Sequence, residues 1–264
     1  MLNYISEILK RKDLLIYLVK SGLKAENRNS YLGYFWWLLD PLLNVIVYYF
    51  LVVVILGRGG PGYPVYLVIG LVVWRWISTT INSSAKAITK YSSIINQVYL
   101  PKTIFPLSFS FTQLFNFSFG LIVIAIFLAV FGYVPGWQII MLPLIIVIQL
   151  IFLVAISLVV SYITVFVRDI DNVLTHIVRL FFYASPIIWE GSRLEQSDKI
   201  PEQFHIILDM NPVAILLNAY RAILMEQQIP QFLGLFMITV ISIIVIVYML
   251  YHYNKNEHKI IKAL

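Results

Sequence analysis

The chain has 264 residues, of which 60% are hydrophobic, 15% aromatic and only 12% charged, and its mean hydropathy is +0.85. A soluble globule averages about half apolar and a quarter charged, so a water-soluble fold is excluded. The nearly unbroken apolar runs at 45–56 and 139–160 also exclude a closed outer-membrane barrel, whose strands alternate apolar and polar residues in segments of about ten. There are no cysteines, so no disulfide, thiol nucleophile or thiolate metal site is available. The formal charge of +6 reads, in so apolar a chain, as the basic excess that orients a membrane protein against anionic lipid rather than as a nucleic-acid surface.

In chain order, residues 1–34 form a cytoplasmic amino-terminal segment. Ile5, Ile8, Leu9, Ile16, Val19 and Leu23 fall near one helical face and Glu7, Lys10, Arg11, Lys20 and Lys24 elsewhere, which predicts an amphipathic helix lying on the membrane surface. The apolar patch at 14–19 is short and lacks a small-residue cleavage site, so it does not read as a signal peptide. A transmembrane domain over 35–254 follows, with six predicted spans at 35–56, 65–81, 104–131, 139–167, 173–189 and 232–251. Residues 255–264 form a cytoplasmic tail. Lysine and arginine concentrate in the amino-terminal segment, in the second-to-third loop with Lys86, Lys90 and Lys102, and in the tail with Lys255, Lys259 and Lys262. Both termini are therefore expected in the cytoplasm, and the protein is expected as a multi-pass component of the plasma (inner) membrane. The glycine cluster at 57–62 is an outside turn, since no Gly-Lys-Ser/Thr follows it.

The residues with chemical potential are few. His176, His205, His252 and His258 show no metal-ligand or acid–base spacing. Asp169 and Asp171 form a DxD that fits either a divalent-cation site or, more simply, carboxylates capping the start of the fifth span. Charges inside spans are costly and so informative. Asp40 and Arg179 sit at similar depth from the cytoplasmic side, which predicts a gate or a substrate-phosphate contact, or else a static neutralised pair or a snorkelling arginine. Arg75 falls near mid-membrane between Trp74 and Trp76. With Trp36, Trp37, Tyr48 and Tyr49, this triplet is either a set of interfacial anchors and packing aromatics or a surface that stacks on sugar rings and meets phosphate along a substrate path.

Several stretches in order resemble one family. Asn29-Ser30-Tyr31-Leu32-Gly33 with Trp36, Trp37 and Asp40-Pro41 resembles the entry to the first span of the permeases of ABC-2 polysaccharide and polyol-phosphate exporters. Ile95 through Lys102 with Pro106-Leu107 is similar to their cytoplasmic loop, and Phe166-Val167-Arg168-Asp169 to the turn after their fourth span. Ser185-Pro186-Ile187-Ile188-Trp189, Asn211-Pro212 and Tyr220-Arg221 are similar to their external segment. Teichoic-acid translocation permeases are the nearest likeness, and O-antigen and capsule permeases share the pattern. Arg75 departs from it, standing where an apolar or aromatic residue is expected.

The resemblance implies an all-α integral membrane protein of six spans that works as a homodimer and translocates a lipid-linked polymer. It also implies a separate ATPase subunit that supplies ATP and magnesium chemistry, with no cofactor held by this chain. The chain carries no Walker A sequence of its own. The polar and basic segment 82–100, with Lys86, Lys90, Tyr91 and Asn96, is the expected coupling helix for that subunit, or else a loop held by anionic lipid. Residues 190–228 are expected as two short re-entrant helices. A membrane-embedded glycosyl- or phosphotransferase using Asp169 and Asp171, and an ion-coupled carrier using Asp40, are the competing expectations.

Overall fold

The computed structural model describes residues 2–27, 31–57, 59–95, 97, 99–167, 169–189 and 210–264. Arg28, Asn29, Ser30, Arg58, Asn96, Arg168, His205 and the first part of the expected re-entrant segment therefore lie outside the described residues.

The described residues are helical throughout their ordered elements. Helices α1 (Leu2–Lys10) and α2 (Lys12–Asn27) precede α3 (Trp36–Tyr49), which a π-helical stretch at Phe50–Ile55 extends. Then come α4 (Tyr63–Ala85), the four-residue α5 (Ser92–Ile95), α6 (Ile104–Val130), α7 (Leu142–Phe166), α8 (Ile170–Ala184), α9 (Pro212–Leu224) and α10 (Phe232–Ala263). Proline stands in the first turn of α4, α7 and α9, where its missing N–H costs nothing and its fixed φ favours the helical start. Five helical segments are long and apolar enough to cross a membrane: Trp36–Ile55, α4, α6, Trp137–Phe166 and α10.

Helix α4 is the axis of the bundle. In its most apolar window 67% of residues are buried, against 17% in α3, so α4 packs on protein all round while α3 keeps an open face. Several polar residues inside the spans are satisfied locally, although neither amide atom of the buried Gln149 on α7 has a hydrogen-bond partner among the described residues. Thr80, Ser110, Thr112, Thr164 and Thr239 each donate to the carbonyl four residues back, and the Ser157 hydroxyl meets those of Ser84 at 2.8 Å and Ser110 at 3.0 Å where α4, α6 and α7 converge. Close packing of this kind takes the place of the hydrophobic drive that lipid does not supply.

Four expectations change. The amino-terminal helix is broken at Arg11 into two, and α2 packs on α6 instead of only lying on a membrane surface. Thr112 lies against Gly22, and the Glu26 carboxylate accepts from Gln113 Nε2 at 3.1 Å and Asn116 Nδ2 at 2.9 Å. The last helix runs on through most of the tail, with one non-helical residue at Asn256 (φ −108°, ψ 18°). The expected coupling helix is instead the end of α4, a 3-10 turn at Thr89–Tyr91 and the single turn of α5. The fifth predicted span is a 15-residue helix of about 22 Å, too short to cross alone.

Together with residues 185–189, α8 nonetheless reaches both ends of α4. Asp171 at its start is ion-paired at 2.7 Å with Lys86, just past the end of α4, and the Tyr63 hydroxyl at the other end of α4 donates to the Ile188 carbonyl at 2.7 Å. The remaining distance is covered by non-helical residues 185–189.

Candidate functional site

Irregular backbone at membrane depth is tolerated only where protein satisfies it. Here Arg221 on α9 does so. It is 3% exposed, and it donates from Nη1 to the Pro186 carbonyl at 2.6 Å and from Nη2 to the carbonyls of Ile187 at 3.2 Å and Tyr66 at 3.3 Å. Its guanidinium lies 3.4 Å from the centre of the Tyr66 ring, a cation–π contact, while the Tyr66 hydroxyl donates to the Trp189 carbonyl at 2.7 Å. Gly70 on α4 makes room: a Cβ there would stand 2.7 Å from the Ile187 oxygen and 2.8 Å from Arg221 Nη2. Helix α9 is positioned for this by Asn211, whose side chain caps it by accepting from the Val213 N–H at 2.9 Å and also donates to Ser185 Oγ at 2.9 Å. In the sequence Arg221 stands out only as part of Tyr220-Arg221 in the segment similar to the family's external one. Its spacing from the Ser185-Pro186 turn gives no local signal that the two would meet.

The mid-membrane charges pair differently from the expectation. Arg75 Nη1 donates to Asp40 Oδ2, joining α4 to α3, and their side chains are 35% and 45% exposed. Arg179 is not the partner of Asp40. It stands exposed on α8. Equal depth fixes only height along a helix, whereas pairing also needs the two side chains at facing azimuths, and Arg75 meets that condition. The Asp40–Arg75 pair borders a small cavity of about 20 Å³ lined by Trp37, Thr79, Gln113 and Asn116 among others, room for one water. The indole N–H of Trp76, another lining residue, has no hydrogen-bond acceptor among the described residues.

The aromatic residues divide into three sets. Tyr48 and Trp74 close on Phe182 of α8, with ring centres 5.6 and 5.7 Å apart, and Trp74 is 8% exposed. Trp76 stacks on Phe117 at 4.3 Å on another side of α4, and Trp37 packs on Phe119 at 4.7 Å. Within one chain Trp37, Trp74 and Trp76 are thus packing residues between helices, not an open wall. Trp36 and Tyr49 are exposed, and Tyr49 borders an outer cavity of about 470 Å³ with Pro61, Phe131 and Tyr133.

Where α4 ends, Lys86 is exposed and held to Asp171, Lys90 is exposed over the Phe109 ring at 5.4 Å, and Tyr91 stacks on Phe105 at 5.0 Å, its hydroxyl pKa raised by burial. The Asp169 side chain does not cap α8, contrary to expectation. Among the described residues no three His, Cys, Asp or Glu side chains gather as a metal site.

A clasp that sequence reasoning missed lies nearby. Lys102 is buried and donates to Glu257 Oε1 at 2.8 Å, while the Tyr99 hydroxyl donates to Glu257 Oε2 at 2.9 Å. Accepting that bond lets the Glu257 carboxylate hold the Tyr99 proton, pushing its pKa up to about 12. Burial raises the pKa of Tyr4, which sits beside Thr103 in the same cluster. The clasp ties the continuation of α10 to the loop that enters α6, over a small core containing Tyr4, Leu18, Ile88, Leu100, Tyr253 and Ile260.

The profile of a family described as ABC-2 type transporter matches residues 13–225. Among curated proteins, the O-antigen export system permease protein RfbA of Myxococcus xanthus is 29% identical over 93% of both chains. Two proteins of the same description from Klebsiella pneumoniae are 31% and 30% identical, each over 81% of both chains. The extent of these matches, on an all-helical chain whose long apolar helices surround α4, means that the chain belongs to the ABC-2 type transporter family and is a membrane component of a transporter rather than an enzyme.

Proposed function

We propose that the chain is the permease subunit of an ATP-driven exporter that carries a lipid-linked, O-antigen-like polysaccharide across the plasma membrane. The observation that carries this reading is the end-to-end likeness to O-antigen export permeases, which spans the cytoplasmic helices as well as the spans. A polysaccharide fits these relatives better than the teichoic-acid polymer expected from the sequence alone. Two copies of this chain and a separate ATPase subunit complete the exporter.

In this reading α8 with residues 185–189 is the sixth crossing, antiparallel to α4. Asp171 and Ile188 are joined to opposite ends of α4, and the Arg221 knot stabilises the non-helical part. Six crossings place both termini in the cytoplasm, in agreement with the basic excess of 1–34, the 82–100 loop and the tail. The exposed Lys86 and Lys90, beside Tyr91, face the ATPase subunit. The small core under them connects to α10 through Lys102 and Glu257, so movement of the ATPase is passed to a spanning helix. Asp40 and Arg75 take the place of the Asp40–Arg179 gate as the charged contact between α3 and α4.

The test is co-purification and crosslinking. With cysteines placed at Lys90 and Tyr91 in this cysteine-free chain, the expected result is a crosslink to a tightly bound ATPase subunit. Crosslinks from α1 alone, with none from 90 or 91, would refute the docking assignment.

A further inference from the structure

Helix α8 carries two different exposed surfaces. At 100° per residue Val178 and Phe182, both buried, point into the molecule. Val173, Ile177 and Leu180 form an exposed apolar arc. Asn172, His176, Arg179 and Tyr183, all exposed, fall within about 60° of one another on a separate stripe next to that arc. The arc suits acyl chains, but the stripe does not.

Depth makes the contrast significant. Because α8 is tied to one end of α4 at Asp171–Lys86, and the segment that follows α8 is tied to the other end at Ile188–Tyr63, α8 lies within the depth that α4 spans. Arg179 stands eight residues beyond Asp171, about 12 Å into the layer. A guanidinium facing hydrocarbon there is strongly unfavourable, and such residues face protein or a water-filled cavity. Among the described residues, no neighbouring charge neutralises the stripe. Asp171 points away from it to Lys86, Asp40 is engaged by Arg75, and Asp169 lies at the cytoplasmic start of the helix, about 15 Å from Arg179 along the axis. What remains is one cation, one imidazole and two hydrogen-bonding side chains on a single line.

We infer that this stripe is an anion-contacting wall of the translocation path and that its ligand is the phosphate group of the exported lipid-linked glycan. The planar guanidinium of Arg179 donates two parallel hydrogen bonds to phosphate oxygens, while Asn172 and Tyr183 supply further donors toward the two ends of the helix. The adjacent apolar arc then lets the lipid part stay in the hydrocarbon while its phosphate follows the polar line. The assignment rests on the exporter reading and specifies which helix face meets the charged part of the cargo. Two sources of phosphate share this chemistry: the linkage between lipid and glycan, and phosphates within the polymer itself.

The test uses the complete exporter in lipid nanodiscs, with single cysteines at 172, 176 and 183 on the stripe and at 177 and 180 on the arc. Anionic sulfonatoethyl and cationic trimethylammonioethyl methanethiosulfonates are the probes. Stripe thiols are expected to react about tenfold or more faster than arc thiols, with the anionic reagent favoured. Arg179→Gln should remove that preference and Arg179→Lys should keep it, which separates loss of charge from loss of fold. Farnesyl diphosphate should protect the stripe thiols if the lipid linkage is the source, and glycerol phosphate if the polymer is. Stripe thiols as slow as arc thiols, access without charge preference, protection by neither phosphate, or a spontaneous disulfide between two copies at 176 that blocks both reagents would each overturn the assignment. ATP-driven export that persists in these variants while the stripe fails would leave the exporter reading intact.

Discussion

Arg75, Lys102 and Arg221 are withdrawn from water to different degrees and are stabilised in different ways. Lys102 has a carboxylate at 2.8 Å in a nearly closed site, its side chain 1% exposed and that of Glu257 12%. Removing one partner of such a pair costs about 3 to 5 kcal/mol because the other charge is left alone. Lys102→Met should therefore lower the thermal midpoint of the purified chain clearly, and Lys102→Met with Glu257→Leu should recover part of the loss. Equal midpoints for wild type and Lys102→Met in tryptophan-fluorescence melts would contradict the clasp. For Asp40 and Arg75 the same cycle should give strong non-additivity, with either single change impairing export more than the double change. Additive effects would mean that the two do not interact in the membrane. The sequence placed Asp40 and Arg75 at useful depths, but depth is a one-dimensional coordinate. The azimuth that pairs Asp40 with Arg75 instead of Arg179 comes from how α3 and α4 pack, and no local pattern encodes it.

At the scale of elements, hydropathy located the long helices well, because a 20-residue apolar run has few alternatives to a spanning helix. α6 is Ile104–Val130 where 104–131 was expected. The same signal misread the fifth segment. The apolar Ile187, Ile188 and Trp189 prolong the run, yet the helix ends at Ala184, before Ser185-Pro186, and the chain finishes the distance through turns and bends. Hydropathy measures burial and not helicity, and Pro186 was the available sign of the break. The close approach of this backbone to α4 depends on Gly70. Gly70→Ala would place a methyl group within 3 Å of the Ile187 oxygen and Arg221 Nη2, so the expected outcome is a lower melting temperature and loss of export. A Gly70→Ala protein with wild-type stability and flux would show that residues 185–189 do not press on α4 in the working protein. The broken amino-terminal helix was legible as amphipathic, but its partner was not, since an apolar helical face reads the same whether it meets lipid or α6.

At the scale of the whole molecule, the loop between α4 and α6, the first helices and the last helix share one small core, and the opposite end is closed by α9 and the Arg221 knot. α4 links the two ends, and α8 runs beside it with one apolar and one polar exposed face. This arrangement suits a subunit that receives motion at one side and presents a charged line to its cargo across the layer. The central claim is that ATP hydrolysis by a partner drives a lipid-linked polysaccharide through a path made by this chain. The most direct measurement is flux in proteoliposomes containing this chain and its ATPase subunit, loaded with a fluorescently labelled lipid-linked O-polysaccharide. The account predicts that the label changes leaflet only with ATP and magnesium present, and that Arg179→Gln slows the movement more than Arg179→Lys. Transfer of sugar or phosphate by the chain alone, or movement of the label driven by an ion gradient without ATP, would contradict it.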